Sequence, residues 1–411
     1  MNDHYDALET RKPHVREAEA FAAIRRQVAH AKEHSPAFAR ILRDVQPGDI
    51  VDRASLAHVP VTRKSELLAL QEAERPFGGF AAAGWGEVAR VFASPGPLYE
   101  PEGRRPDYWR LARALFAAGF RRGELVHNAF AYHFTPAGSM LETAAHALGC
   151  TVFPAGTGQT ELQVRTIHDL QPAGYVGTPS FLPIILQRSD ELGIALTSLK
   201  KALVSGEAFL PSARDALLDR GIAGYQAYAT AELGNVAYET EARDGLVIDE
   251  GVWVEIVRPG TGEPLPHGEV GEVVVTALAN ADYPMIRFAT GDLSSMLSGS
   301  SACGRTNARI KGWMGRADQT TKVRGLFVHP AQIAQVVKRY PSITRARLVV
   351  SNPGEGDEMT LHIESAEPDG IDVAGMISAL RDVTQLRGNV ALHRTGELPN
   401  DGKIIEDTRK F

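Results

Sequence analysis

The feature that most constrains the fold of this chain is an alternation of strand-like and helix-like runs between about residue 88 and residue 230. Short apolar runs alternate with runs of helical periodicity, and glycine or proline separates many of them. The successive runs read VARVFASPG, YWRLARALFAAGF, LVHNAF, LETAAHALG, CTVFPAG, LQVRTIHDL, GYVGTP, FLPIILQRSDELG, KALVSG and GYQAYA. Strands that are joined through helices pair in parallel, so this region predicts an α/β fold with a parallel sheet covered by helices.

The regions on either side of this alternation have different patterns. Residues 17 to 45 place apolar side chains at helical spacing, which predicts an amphipathic helix. After Glu232, β-branched runs such as GVWVEIV and GEVVVTAL alternate with turns, which predicts a β-rich subdomain with antiparallel pairing. From Asp318 onward, helices and strands mix in a compact tail. We therefore predict two domains, residues 1–317 and residues 318–411.

Charge and cysteine content exclude several classes of function. The 411 residues contain 44 basic and 50 acidic side chains, a net charge of −6, so no basic field attracts nucleic acid or anionic lipid. Cys150 and Cys303 are too few for a disulfide framework or a four-thiolate zinc site. The N-terminus is charged, and no run approaches the roughly 18 apolar residues of a membrane span. We therefore predict a cytoplasmic protein that acts on small molecules, with no nucleic acid and no membrane partner.

Candidate functional residues gather in four segments. The first, YQAYATAE, ends a predicted strand at Glu232, and ligands of open α/β sheets bind where strands end. Taken alone, this segment fits an ordinary surface strand equally well. The other segments are IRFATGD, KGWMGRADQTTKVRG and PNDGK, which ends at Lys403. A lysine in such a polar turn is, by itself, more often solvated than catalytic.

In this order, the four segments resemble those of the adenylate-forming enzymes, and other stretches narrow the resemblance to the phenylacetate-CoA ligase family. These stretches read HAKEHSPAFARIL, PVTRKSEL, PAGTGQTELQ, GYVGTPS, SGEAF, CGRTNARIKGWMGRAD and VRGLFVHPAQI, and they span almost the whole chain. The resemblance implies a large N-terminal α/β domain with a β-rich subdomain and a small, mobile C-terminal α+β domain. It also implies ATP, Mg²⁺ and coenzyme A as cofactors, a small carboxylic acid as substrate, and a homodimer.

The same resemblance assigns nucleotide-binding roles. Tyr228 would lie against the adenine, and Glu232 would hold Mg²⁺, which prefers carboxylate oxygen. Asp292 would accept hydrogen bonds from both ribose hydroxyls, and Arg316 would reach the ribose and phosphates with its planar guanidinium. Further nucleotide-binding residues implied by the family motifs are Ser205, Gly206, Glu207, Ala229 and Thr230.

The C-terminal domain is implied to contribute three more residues. Lys403 would enter the site during adenylation and bridge carboxylate and phosphate oxygens, completing a catalytic set with Glu232 and Arg316. Asp318 would be the hinge about which the domain turns to form a second site for coenzyme A. Gly325 would line the passage for the pantetheine arm, because a residue without a side chain lets a ligand run close to the backbone.

Two departures from the family pattern concern the phosphates. The usual glycine-rich loop, of the Ser-Ser-Gly-Thr-Thr-Gly-Lys kind, is replaced by ASPGPLYEPEG over residues 93–103. Its two central prolines lack amide hydrogens, which leaves Ser94 and Gly96 as the remaining donors of the motif. Ala231 also stands where the family has Thr or Ser. Both changes predict a weaker grip on the phosphates of ATP.

The residues that line the pocket for the acid are harder to identify from the sequence. Aromatic and small residues converge where the family binds its acid, although a plain core position remains the alternative for the aromatic ones. The predicted lining is Tyr132, His133, Phe134, Gly177, Thr178 and Ala229.

The sequence therefore predicts an ATP-dependent acid–thiol ligase. It would activate an aromatic or similar small carboxylic acid as acyl-AMP and transfer the acyl group to coenzyme A. Two alternatives stay open: an adenylate-forming enzyme with a non-CoA acceptor, and a catalytically silent homologue that binds a nucleotide or an acyl-CoA.

Overall fold

The computed structural model describes residues 4–314, 316–317, 321–324, 326–328, 330–354, 356–399 and 403–409. The chain separates into two compact units, Met1–Met314 and Gly315–Phe411. Each unit has its own hydrophobic core.

Two helices open the first unit where the sequence predicted one. Helix α1 spans Pro13–His34, and helix α2 spans Pro36–Ile41. Pro36 cannot donate a backbone hydrogen bond to the preceding turn, so it begins a new helix instead of continuing the old one. The Ser35 hydroxyl caps α2 by accepting a hydrogen bond from the Phe38 amide at 3.3 Å. Helix α3 (Arg53–Ala57), strand β1 (Thr62–Arg63) and helix α4 (Lys64–Ala73) follow.

The alternating region forms the predicted parallel sheet, preceded by a hairpin. Its elements in chain order are β2 (Arg90–Ser94), β3 (Leu98–Glu102), α5 (Ala112–Ala117), β4 (Leu125–Asn128), α6 (Ala137–Leu148), β5 (Thr151–Pro154), α7 (Thr160–Leu170), β6 (Gly174–Gly177), α8 (Phe181–Leu192), β7 (Lys201–Val204), α9 (Pro211–Asp219) and β8 (Ala223–Thr230). Strands β5, β4, β6, β7 and β8 lie side by side in that order, and all pair in parallel. The predicted α/β architecture is confirmed.

The region after Glu232 is antiparallel, as predicted, and it extends the same sheet. Its strands are β9 (Gly234–Glu239), β10 (Leu246–Ile248), β11 (Val252–Val257), β12 (Val270–Ala277), β13 (Phe288–Leu297) and β14 (Arg309–Ile310). Within the described residues, eleven strands of the sheet follow the order β11-β12-β13-β14-β10-β9-β8-β7-β6-β4-β5, and β1 is the twelfth strand, which pairs in parallel with β13. Because β9 pairs with β8, the β-rich region and the parallel region are continuous.

A buried arginine fixes the start of β13, which carries the predicted ribose-binding segment. Arg287 is 1% exposed, yet all five of its side-chain N–H groups are used. Two of them donate to the Glu255 carboxylate at 3.0 and 2.9 Å. The other three donate to the backbone carbonyls of residues 57, 59 and 262. This satisfied buried ion pair connects β13 to β11 and to the N-terminal helices.

The second unit is a small α+β domain. Its elements are β15 (Thr321–Val323), β16 (Leu326–Val328), α10 (Pro330–Val337), β17 (Ile343–Gly354), β18 (Gly356–Ser365), α11 (Val373–Thr384), β19 (Asn389–Arg394) and β20 (Ile405–Asp407). Four of the strands form a sheet in the order β19-β18-β17-β20. Across both units, no helix among the described residues combines the length and the apolar composition needed to cross a bilayer.

Candidate active site

Most of the predicted binding residues of the first unit lie at one edge of the parallel sheet. Gly177 ends β6, Ser205 follows β7, and Thr230 ends β8, while the segment with Tyr132 follows β4. We call this edge the carboxyl edge, because it holds the carboxyl ends of the parallel strands. In open α/β sheets ligands bind in the crevice outside this edge.

A hydrogen-bonded network joins two of the predicted nucleotide-binding residues. The Tyr228 hydroxyl donates to Asp292 Oδ2 at 2.8 Å and lies 3.1 Å from Thr290 Oγ1. On the other side of the carboxylate, the indole N–H of Trp313 donates to Asp292 Oδ1 at 3.1 Å. Asp292 is buried, with 9% exposure. The network therefore fixes the orientation of this carboxylate from both sides.

The end of β8 is irregular where the predicted motif lies. The pairing of β8 with β9 shifts register between Tyr228 and Ala229. The Thr230 hydroxyl accepts a hydrogen bond from the Leu233 amide at 3.2 Å, which closes the turn that follows the strand. Such bulges redirect side chains at the ends of strands. This turn holds Glu232 in the interior.

Glu232, the predicted cation ligand, lies beside a lysine. Lys64 Nζ is 2.7 Å from Glu232 Oε1, and the Glu232 side chain has no exposed surface. Lys64 begins α4, so the pair links the N-terminal helices to the carboxyl edge. Burial by itself raises the pKa of Glu232, but the Lys64 ammonium outweighs it and holds the pKa below its ordinary value. Glu232 is therefore ionised at neutral pH.

A second buried carboxyl, Glu100 of β3, interacts electrostatically with this pair. Glu100 is 1% exposed, and the Ser94 hydroxyl donates a hydrogen bond to its Oε1. Burial, reinforced by the negative charge of Glu232, raises the pKa of Glu100 to about 8. We call Lys64, Glu100 and Glu232 the Glu–Lys cluster. The Ser94 hydroxyl was expected to face phosphate. It is directed into this cluster instead, because it donates a hydrogen bond to Glu100.

The segment that replaces the glycine-rich loop is a hairpin of β2 and β3. Ala93 pairs with Tyr99 in its register, and the Ala93 amide also donates to the Phe134 carbonyl at 2.8 Å. The Gln71 side chain of α4 bonds both the amide and the carbonyl of Tyr99, at 2.8 and 2.9 Å. The backbone amides of residues 93 and 99 are therefore engaged within the protein.

The three predicted pocket residues after β4 differ in their surroundings. The Tyr132 hydroxyl accepts a hydrogen bond from Asn128 Nδ2 at 2.8 Å. Burial, followed by the effect of Glu142, raises the pKa of Tyr132. The side chains of His133 and Phe134 are exposed, Phe134 by 79%. Of these three side chains, Tyr132 is the one that is partly buried and contacts a residue of β4.

At the end of β6, the missing side chain of Gly177 makes room for another residue. A Cβ at this position would lie 2.1 Å from the Tyr175 hydroxyl. The Tyr175 hydroxyl donates to the Thr178 carbonyl at 3.4 Å. Gly177 therefore allows the Tyr175 ring to pack beneath the strand end, and the Thr178 side chain stays partly exposed.

The loop after β7 contains three of the predicted nucleotide-binding residues. The Ser205 hydroxyl donates to the Ala227 carbonyl at 2.8 Å, which ties this loop to β8. Gly206 has a φ of +83°, in the left-handed region that favours glycine. Gly206 and Glu207 are accessible at the carboxyl edge, with Gly206 exposed and Glu207 partly buried.

A buried histidine supports the same edge from within. His127 of β4 has no exposed surface, and its Nε2 lies 2.8 Å from Gln163 Oε1. The Gln163 amide donates to the carbonyls of Gly156 and Gly158, which fixes the loop after β5. Burial lowers the pKa of His127, so the ring is neutral at pH 7.

The predicted residues of the second unit are partly within the described chain. Lys403 is exposed, and its Nζ lies 3.7 Å from Glu406 Oε1. Arg316, near the start of the unit, is partly buried. Asp318 and Gly325 lie outside the described residues.

Three polar residues of the candidate site were not predicted from the sequence. These are Lys64, Glu100 and Trp313. Lys64 stands in PVTRKSEL and Trp313 in KGWMGRAD, so their places in family-like segments were the available signal. Glu100 stands in the segment that departs from the family motif, so the motif gives no signal for it.

Comparisons with known proteins identify the relatives of this chain. Residues 110–281 match the family model of the AMP-binding enzymes. The chain is 34% identical over 362 residues to the phenylacetate-coenzyme A ligase of Thermus thermophilus, which covers 84% of this chain and 80% of that protein. It is 31% identical to the phenylacetate-coenzyme A ligase of Pseudomonas putida, over 89% of this chain and 87% of that protein.

Two solved structures share the fold. A 2-hydroxyisobutyryl-CoA ligase in complex with its acyl-AMP and coenzyme A superposes with a TM-score of 0.80 at 24% identity, covering 100% of this chain and 95% of the other. An amide bond synthetase from Marinactinospora thermotolerans superposes with a TM-score of 0.53 at 18% identity, covering 77% of this chain and 68% of the other.

Proposed function

Because the chain belongs to the phenylacetate-CoA ligase family of AMP-binding enzymes, we propose that it activates an aromatic or similar small carboxylic acid. The enzyme is an ATP-dependent acid–CoA ligase that works through an acyl adenylate. A carboxylate oxygen of the acid attacks the α-phosphorus of ATP, and pyrophosphate leaves. The thiol sulfur of coenzyme A then attacks the acyl carbon, and AMP leaves. The observation that most supports this proposal is the pairing of Tyr228 and Asp292 beside the carboxyl edge.

In this proposal Asp292 binds the ribose as a preoriented acceptor. A carboxylate oxygen can accept more than one hydrogen bond, so ribose hydroxyls can join a group that Tyr228 and Trp313 already hold in place. Tyr228 lies against the adenine, and Ser205, Gly206, Glu207, Ala229 and Thr230 complete the nucleotide site. Because the Asp292 carboxylate is already held in place before ATP binds, ATP binding loses less conformational entropy.

Replacing Trp313 with Phe tests this role. The variant keeps an aromatic ring but loses the N–H donor to Asp292, so ATP affinity should fall by about 1 kcal/mol, a roughly fivefold increase in Kd. Isothermal titration with ATP measures the change, and 2′-deoxy-ATP should be affected less. Trp253→Phe is the control, because Trp253 packs against Phe21 in another part of the unit. Equal ATP affinities of Trp313→Phe and the parent enzyme would contradict the role.

Glu232 is the proposed Mg²⁺ ligand. It is a buried, ionised carboxylate, the kind of donor that fits a hard divalent cation. Bound Mg²⁺ would neutralise charge that develops on the phosphates during adenylation.

Lys64 is proposed to contact the phosphates that the glycine-rich loop contacts in other family members. Its ammonium lies beside the proposed metal ligand, and 27% of its side chain is exposed. A lysine is a compact point charge on a flexible stem, which suits contact with a polyanion. The hairpin has no lysine of its own.

The remaining roles are proposed on the family resemblance. Lys403 stabilises the adenylation transition state together with Arg316, Asp318 is the hinge, and Gly325 lines the coenzyme A passage. The acid meets residues near the ends of β4, β6 and β8, namely Tyr132, His133, Phe134, Gly177, Thr178 and Ala229. A cytoplasmic homodimer is the proposed assembly, and both cysteines of the chain are free thiols, as in a reducing compartment.

A panel of acids tests the proposed substrate class and acceptor. Pyrophosphate release would be measured with phenylacetate, benzoate or acetate, with and without coenzyme A. We expect aromatic acids with coenzyme A to give turnover at least about tenfold faster than acetate. Turnover that needs no coenzyme A would favour another acceptor, and silence with every acid would favour a nucleotide-binding homologue without activity.

A further inference from the structure

At one position of the phosphate-binding motif, this chain has an acidic residue where the family has a lysine. When Ser-Ser-Gly-Thr-Thr-Gly-Lys is aligned on Ser94 and Gly96, the lysine of the motif falls on Glu100. A carboxylate cannot contact phosphate oxygens directly, because both groups are negative. A carboxylate at this position therefore needs a positive charge between itself and the nucleotide.

The structure places Glu100 where it could share a cation with Glu232. Glu100 is nearly inaccessible, and burial together with the negative charge of Glu232 raises the pKa of its carboxyl group. Ser94 donates to Glu100 Oε1, whereas the buried Oε2 has no hydrogen-bond partner among the residues that the structure describes. A buried carboxyl oxygen without a hydrogen-bond partner is costly unless a ligand completes it.

Lys64 shows that this position already attracts positive charge. Its ammonium lies 2.7 Å from Glu232 Oε1 and also interacts favourably with Glu100. The ammonium pairs with Glu232, so the carboxyl group of Glu100 is available as a further ligand for a cation. Divalent ions that accompany nucleotides are typically held by one or two carboxylates together with phosphate oxygens.

We propose that Glu100 is a second carboxylate ligand of the divalent cation that accompanies the nucleotide, sharing that ion with Glu232. The chain then holds the phosphates through a metal ion at the position where the family motif uses a lysine. This inference rests on the proposed function, because the nucleotide supplies the remaining ligands of the ion. It makes the hairpin a metal-binding element instead of a degenerate phosphate loop.

Metal binding tests the proposal without turnover. Mn²⁺ replaces Mg²⁺ as an EPR-visible probe, and α,β-methylene-ATP replaces ATP because its α–β linkage is not cleaved, so it cannot transfer AMP to an acid. Free Mn²⁺ would be titrated against the full chain in the presence of the analogue. Glu100→Gln should weaken Mn²⁺ binding by about 10- to 100-fold. Thermal unfolding would confirm that the variant is folded.

Two further variants make the test specific. Glu102→Gln is the matched control: Glu102 is a buried carboxyl of the same strand, but Trp109 Nε1 and Ser139 Oγ donate to it at 3.0 and 2.6 Å. It should keep Mn²⁺ affinity within about twofold of the parent. Glu100→Lys installs the lysine of the family motif. In this variant Mn²⁺ should no longer increase affinity for the analogue. With EDTA present, the variant should bind the analogue more tightly than the parent does.

The outcomes separate this inference from the proposed function. Parent-like Mn²⁺ affinity of Glu100→Gln, with a loss in Glu232→Gln, would overturn the role of Glu100 and leave the proposed function standing. Equal losses in Glu100→Gln and Glu102→Gln would also overturn it, because the effect would then be a general consequence of removing a buried carboxyl. A parent chain that binds no analogue at all would contradict the proposed function itself.

Discussion

Lys403→Ala is expected to abolish acyl-adenylate formation while leaving thioester formation from a supplied acyl adenylate within about threefold of the parent rate. Removing one positive group that contacts the transition state typically costs about 10²- to 10³-fold in kcat. The second half-reaction has no phosphoryl transfer, so it has no need of this charge. Pyrophosphate release measures the first step, and thioester formation from synthetic acyl-AMP and coenzyme A measures the second.

The control for this variant is another exposed lysine of the same unit. Lys338 follows α10 and is exposed, so Lys338→Ala should alter neither half-reaction. Equal losses in both half-reactions of Lys403→Ala would show that the lysine acts on the fold or on both steps, which would contradict the proposed role.

Lys64→Ala should lower kcat/KM for ATP in the adenylation step by about 10²- to 10³-fold. The variant removes the proposed phosphate contact and leaves Glu232 buried without its ammonium partner. Burial would then raise the pKa of Glu232, since the lysine that opposes this effect is gone. The loss should therefore be larger at pH 6 than at pH 8, which a pH series of pyrophosphate release measures.

Lys201→Ala is the matched control for Lys64. Lys201 Nζ lies 2.7 Å from Glu124 Oε1, an equally short ion pair, but it begins β7 and so lies at the opposite end of the strand from the carboxyl edge. This variant should leave the kinetics of ATP use unchanged. Parent-like adenylation by Lys64→Ala would mean that other residues hold the phosphates.

The fold could be predicted from sequence where local pattern decides the structure. The alternation of apolar runs and helical runs gave the parallel strands, because strands buried on both faces are short and continuously apolar. The break between α1 and α2 was missed, although Pro36 marks it, because helical spacing continues across the break. The continuity of the whole sheet could not be predicted, since it depends on the non-local pairing of β14 with β10.

For the candidate site, motifs predicted single residues but not their partners. Tyr228 and Asp292 were both identified, yet their direct hydrogen bond depends on how β8 and β13 are brought together. The pairing of Lys64 with Glu232 joins positions far apart in the chain, so no local spacing indicates it. Ser94 was expected to face phosphate, whereas the hairpin directs its hydroxyl to Glu100.

This enzyme activates its acid as an acyl adenylate on the way to a coenzyme A thioester. An isotope experiment tests this step: the preferred acid, labelled with ¹⁸O at both carboxyl oxygens, is incubated with ATP and coenzyme A, and the products are analysed by mass spectrometry. Attack of the carboxylate on the α-phosphorus predicts that one ¹⁸O atom per thioester formed appears in AMP and that pyrophosphate stays unlabelled. Unlabelled AMP, or the formation of ADP and phosphate in place of AMP and pyrophosphate, would contradict the account.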